Sequence, residues 1–224
     1  MKKAYIIATS FMACTILYLL EQAIAVDYVT KTIAKIVLFV VIPYIYLKFV
    51  KKSAIKDSLN LGRFDASTLK LGFILGLASF AILIAAYFIF RGFIDFDSIA
   101  HELQSKSKIT PSNFILVGLY ISFGNSFLEE FFFRGYVFLN LYNEGAKKLG
   151  YIYSSVLFAV YHIAIFKTWF NPALMGLALL GLIIVGLVFD WLDTKTENFM
   201  NSWLLHILAD SAIIIIGLKM FNMI

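Results

Sequence analysis

Long apolar stretches alternate with short polar connectors along almost the whole chain. Seven stretches, about 4–26, 33–50, 70–90, 112–140, 151–167, 172–191 and 200–221, are continuous runs rather than alternating patterns. A membrane-spanning helix needs about 20 mostly apolar residues. In lipid the backbone must satisfy its own hydrogen bonds, so continuous runs of this length predict helices and not the alternating segments of a barrel. The pattern therefore predicts an all-α, polytopic transmembrane bundle of seven spans, with eight as the alternative. The first run, preceded by Lys2 and Lys3, resembles a signal peptide at Ala23-Ile24-Ala25. It is long enough to span and more spans follow it, so an uncleaved first helix is expected. The connector at 92–111 holds Asp95, Asp97, Glu102, Lys106 and Lys108 and is read as an amphipathic surface helix. No internal repeat breaks the chain, so residues 1–224 are read as one integral membrane domain.

Composition agrees with this division. Of 224 residues, 61% are hydrophobic and only 15% charged, against about 45–50% and 25% in soluble domains. A soluble globular domain, a disordered chain and a nucleic-acid module are excluded, and no nucleic-acid partner is expected despite the net charge of +5. The single cysteine, Cys14, lies in an apolar run. It rules out an internal disulfide and a cysteine-based zinc site and reads as a small packing residue.

Lysine and arginine positions orient the spans. With a cytoplasmic N-terminus, eleven fall at inner ends, including Lys48, Lys51, Lys52, Lys56, Arg63 and Lys70. Seven, including Lys31 and Lys35, fall at outer ends. The bias favours the N-terminus inside. The excess of Lys over Arg, with much Ile and Phe, points to a bacterial cell membrane.

Candidate chemistry comes from ionisable residues within the spans, where each is costly unless paired or hydrated. The fourth span contains Glu129-Glu130-x-x-x-Arg134, the fifth Phe158-x-x-x-His162 and the seventh His206-x-x-x-Asp210. Glu130 and Arg134 share a helix face and can pair. Glu129 is turned about 100° away, has no cation on its own helix and can face a cavity. At about 1.5 Å per residue, the three spans place two carboxylates and two imidazoles at compatible depths in the inner half of the bilayer. A carboxylate in such a site can take a proton from water, His162 can share it with a leaving amine, and His206 can steady a developing oxyanion. That is equipment for hydrolysing an amide without a covalent intermediate.

Glu21 and Asp190, near span ends, are expected at the interface. The run Phe131–Phe133 is read as lipid-facing and packing surface. The Gly-x-Ser-Gly-like site of a serine intramembrane protease and the Gly-Asp of an aspartyl one are absent. A zinc site built from His162, His206 and a carboxylate is an alternative, although His-Glu-x-x-His is missing. Otherwise no cofactor is expected. A non-catalytic regulator or immunity scaffold, and a proton-coupled transporter, are the other classes.

In order and inside apolar helices, these three motifs resemble the CPBP (abortive-infection) family, which includes type II CAAX prenyl endopeptidases and bacteriocin-processing or self-immunity proteins. The resemblance covers about residues 112–216. It implies a glutamate-dependent intramembrane endopeptidase acting on a membrane-associated peptide or protein, in peptide maturation or bacteriocin self-immunity. It implies that Glu129 activates water with His162, that His206 and Asp210 form the oxyanion site, and that Glu130 and Arg134 support the geometry. The family's familiar form has Asn where this chain has Asp210. An Asp donates a hydrogen bond only when protonated, so Asp210 either is protonated or orients His206. Prenylated substrates are not assigned on this basis.

Overall fold

The computed structural model describes residues 2–52 and 69–224; Lys56 and Arg63, used above for orientation, lie outside the described residues. Among these, seven helices are long and apolar enough to cross a membrane. They are α1 (Lys2–Gln22), α2 (Tyr28–Lys51), α3 (Lys70–Phe93), α5 (Phe114–Asn143), α6 (Lys147–Phe166), α7 (Pro172–Thr196) and α8 (Met200–Met220). The eighth, α4 (Phe96–Ser105), is the short helix expected between the third and fourth spans. The protein is an all-α integral membrane bundle.

Helix ends follow local chemistry. The Asp27 side chain accepts from the Val29 and Thr30 amides at 2.9 and 3.0 Å and so caps α2. The Thr30 hydroxyl and these amides hold the Asp27 carboxyl below its usual range. Asn171 caps α7 in the same way, with Pro172 at the first helical position, where its missing N–H is no loss. Glu197 ends α7 in the left-handed conformation, φ 56°, and lets α8 turn back against it.

α5 is the hub of the bundle. Its Phe132, Phe133, Tyr136 and Val137 meet Ile6 and Leu17 of α1, Phe39 and Tyr46 of α2, Phe158 of α6, Phe189 of α7 and Leu205 of α8 in one core. Several polar side chains facing that core are paired between helices. Thr9 bonds the Tyr136 hydroxyl at 2.8 Å and Ser10 bonds that of Tyr153 at 2.9 Å. Cys14 is buried among them, as expected.

Two features of α5 bear on the site. Its backbone is π-helical over Tyr120–Asn125 and Phe131–Phe138, and α-helical over Ser126–Glu130 between them. π-Turns widen a helix and rotate the side chains that follow, and they concentrate at functional sites. Here they frame the two glutamates. Every residue from Phe132 to Leu141 is buried. Within the aromatic run Phe131 is half-buried, but Phe132 and Phe133 are fully buried packing surface rather than lipid-facing, with Phe132 stacked on Phe39 at a 3.9 Å centroid distance. The hub position of α5 leaves these rings no lipid to face.

α3 lies along α8. Gly72 and Gly76 are on the shared face, and a Cβ at Gly72 would come within 2.8 Å of the Asn201 carbonyl oxygen. Small residues one turn apart let two membrane helices approach closely. The Gly72 amide donates to the Asn201 side chain at 3.2 Å.

Candidate active site

Glu129 and Glu130 project from the short α-helical turn of α5, and both are buried. The Glu129 carboxylate is used unevenly. Its Oε1 accepts from Lys35 Nζ of α2 at 2.8 Å and from Asn125 Nδ2, one turn earlier on α5, at 3.0 Å. Its Oε2 lies 3.7 Å from His162 Nε2 of α6 and 3.9 Å from His206 Nε2 of α8. Four helices thus converge on one carboxylate.

Each imidazole is held from its far side. His162 Nδ1 is 2.7 Å from the Phe158 carbonyl oxygen. A carbonyl only accepts, so Nδ1 carries a proton, and a neutral ring then presents an unprotonated Nε2 to Glu129. The Phe158 ring packs edge-on against His162 at 4.5 Å and His206 at 6.0 Å, so it walls both. His206 Nδ1 pairs with Glu130 Oε1 at 2.8 Å. Asp210 Oδ1 is 3.7 Å from His206 Nε2, close but outside direct hydrogen-bonding distance.

Behind His206 the charges continue. Glu130 Oε2 is 3.3 Å from Arg134 Nε, the pair predicted from their spacing. Arg134 is completely buried, and its guanidinium lies 4.1 Å from the Phe158 ring centroid and 4.7 Å from that of Phe189. Such cation–π contacts replace part of the lost hydration. On its other side Asp190 Oδ1 of α7 is 3.6 Å away. The two Asp190 oxygens accept from Ser154 and Ser155 of α6, each at 3.1 Å. Asp190 is therefore not interfacial; it is fully buried as the second anion on Arg134. Its place one residue before the end of the apolar run 172–191 hid this. Asp193, in what reads as a polar connector, is equally buried and accepts from Ser202 at 3.0 Å. Glu21, by contrast, pairs with Lys31 and remains partly exposed.

The structure brings Glu129, Glu130, Arg134, His162, His206 and Asp210 together. Lys35 and Asn125 were missed. Lys35 was counted with the outer loop charges, yet it is only 4% exposed. The one available signal was a lysine already inside an apolar run. Asn125, four residues before Glu129, was legible as a helix-face neighbour. Among the described residues, no group of three or more His, Cys, Asp or Glu side chains has an arrangement that could hold a metal ion.

A buried carboxylate flanked by two imidazoles thus lies inside a bundle of apolar helices. Residues 111–212, which carry all three motifs, match the family model described as Type II CAAX prenyl endopeptidase Rce1-like. That segment is of the CAAX-protease-like family its residues resembled, a family of intramembrane proteases. Neither the curated proteins nor the solved structures provide a match to the chain.

Proposed function

We propose that the protein is an intramembrane endopeptidase in which Glu129 activates water for attack on a peptide bond. The observation that carries the reading is the separation between Glu129 Oε2 and His162 Nε2. Both atoms are acceptors, and 3.7 Å is too long for a direct bond but suits a shared water. A water donating one O–H to each acceptor presents its lone pair to a substrate carbonyl.

In the forward step the water oxygen bonds the carbonyl carbon, Glu129 takes the water proton, and the carbonyl oxygen becomes an oxyanion. His206 gives Nδ1–H to Glu130, so it donates to the oxyanion from Nε2 only when it carries both protons. Glu129, Glu130 and Asp210 surround it with counter-charge for that imidazolium. On collapse the C–N bond breaks and the proton held by Glu129 passes, with His162 beside it, to the leaving amine. Water and amide become acid and amine, and no covalent enzyme intermediate forms. Asp210, 3.7 Å from His206 Nε2, acts in this scheme as counter-charge to the imidazolium rather than by touching substrate. The substrate is a membrane-associated peptide or protein that reaches the site within the bilayer. Peptide maturation and immunity to a secreted peptide both fit this chemistry.

One observation favours a second reading. Glu129 is already ion-paired to Lys35, as in a structural network that fixes helix packing without catalysis. Cleavage of a quenched-peptide library by the purified protein in detergent separates the two. Glu129→Gln at matched thermal stability is expected to lose at least about 100-fold in rate, the scale of a lost general base. Retained cleavage in that variant refutes the glutamate mechanism. A chelator is expected to leave wild-type cleavage unchanged; loss on chelation points to zinc instead.

A further inference from the structure

We infer that Lys35 is a positioning residue for Glu129: with Asn125 it occupies one carboxylate oxygen and so dedicates the other to the two histidines. The inference deepens the peptidase reading and rests on it. Lys35, Asn125 and Glu129 form a closed triangle. Lys35 Nζ donates to Glu129 Oε1 at 2.8 Å and also to Asn125 Oδ1, while Asn125 Nδ2 donates to Glu129 Oε1 at 3.0 Å. A carboxylate oxygen has two lone pairs, and both of those on Oε1 are used. Oε2 alone remains to face His162 and His206. Without this clamp the carboxylate can turn about its terminal torsion, which is broad for Glu. A base must be held within hydrogen-bond reach of the proton it abstracts, so the clamp converts a symmetric carboxylate into a directed one.

The ammonium is itself fixed. It lies 5.1 Å from the centroid of the Tyr161 ring and 5.8 Å from that of Phe39, and its side chain is 5% exposed. Tyr161 directly precedes His162 on α6, and Phe39 lies one turn beyond Lys35 on α2. The same aromatic wall that seats the histidine helix thus seats the lysine. A buried ion pair is a weak source of stability, often replaceable by apolar residues at no loss. Packing alone therefore gives little reason for an ammonium here. Lys35 also lies outside the matched segment 111–212. The first half of the chain thus contributes a residue to the site and does more than enclose it.

The test compares wild type, Lys35→Met, Lys35→Arg, Asn125→Leu and Glu129→Gln in the peptide assay, with thermal unfolding in detergent alongside. Lys35→Met keeps the length of the stem and removes the charge. It is expected to lower kcat at least about tenfold while KM stays within about twofold, the signature of an interaction that acts on the chemical step. Lys35→Arg, which keeps cation and donors, is expected to recover most of that loss. Asn125→Leu preserves the ion pair and is expected to fall between Lys35→Met and wild type, which keeps the question open to test if Lys35→Met does not fold. Wild-type kcat in both Lys35→Met and Asn125→Leu overturns the inference while leaving the peptidase reading intact. Equal losses in Lys35→Met and Lys35→Arg, with raised KM or lowered melting, assign Lys35 to structure and also overturn it. Full activity in Glu129→Gln, or no cleavage by wild type, overturns the peptidase reading and the inference together.

Discussion

Arg134 sits at the centre of the buried charges and touches no solvent. It answers two carboxylates at once, Glu130 and Asp190. Glu130 in turn holds His206 Nδ1, so the orientation of that imidazole traces back through Arg134 to α7. Removing one member of a buried ionic group leaves an uncompensated charge, which is far costlier than the group is stabilising. Arg134→Met is therefore expected to destabilise the fold by about 3–5 kcal/mol, read as a lowered midpoint of thermal or denaturant unfolding in detergent. A double change, Arg134→Met with Asp190→Asn, is expected to lose less than the sum of the two single changes, because the second removes the anion that the first strands.

Among the helices, α8 has the most exacting placement. It brings His206 to Glu129 and Asp210 to His206, and α3 presses against its back. The contact depends on the missing Cβ of Gly72, since an added methyl would approach the Asn201 carbonyl oxygen to 2.8 Å and its Cα to 3.2 Å. Backbone cannot yield as a side-chain tip can, so a larger residue there must move one helix. Asn201 is little more than one turn from His206, and the displacement passes to the imidazole. Gly72→Val is expected to cost about 1–3 kcal/mol, typical of overpacking. It should also depress peptide cleavage more than that melting change accounts for. Unchanged cleavage at a lowered melting temperature would instead separate the α3 contact from the site. The π-helical turns of α5 belong to the same level of organisation. They widen the helix on either side of Glu129 and Glu130, while the intervening α-helical turn keeps these adjacent carboxylates pointing to different partners.

The assembled bundle has two ends, and its charges differ between them. Lys2 pairs with Glu144 at 3.5 Å, and Lys51 bonds Asn140 at 2.9 Å, so the N-terminus of α1, the end of α2 and the end of α5 share one side. Lys147 and Lys148 open α6 on that side too. By the excess of basic residues at short inner loops, this end is expected to face the cytoplasm. Membrane-impermeant thiol labelling checks it directly, because the only native cysteine is buried. In right-side-out vesicles a cysteine at Ser105 is expected to label without permeabilisation, and one at Lys148 only after it. The reverse pattern inverts the orientation.

Much of this architecture was already written in the chain. Runs of about 20 apolar residues leave the backbone no alternative to helix in lipid, so all seven spans were legible, with ends displaced by a few residues. The motif residues were legible for a related reason: an ionisable group inside such a run is too costly to be incidental. Helical spacing paired Glu130 with Arg134 without any knowledge of their neighbours. Tertiary structure alone decided which charges meet across helices. Lys35 and Asp190 lie near the ends of their runs, where a charge is ordinarily solvated at the interface. Lying just inside those runs is the only local sign that sets them apart from loop residues. Their burial follows from how α2 and α7 pack on α5, and that depends on contacts between residues far apart in the chain, 94 positions for Lys35 and Glu129 and 56 for Arg134 and Asp190. The same packing put Phe132 and Phe133 in the core rather than against lipid. Hydrophobicity settles that a segment leaves water, but in a membrane lipid and protein interior are equally apolar, so only the packed bundle settles which way each face turns.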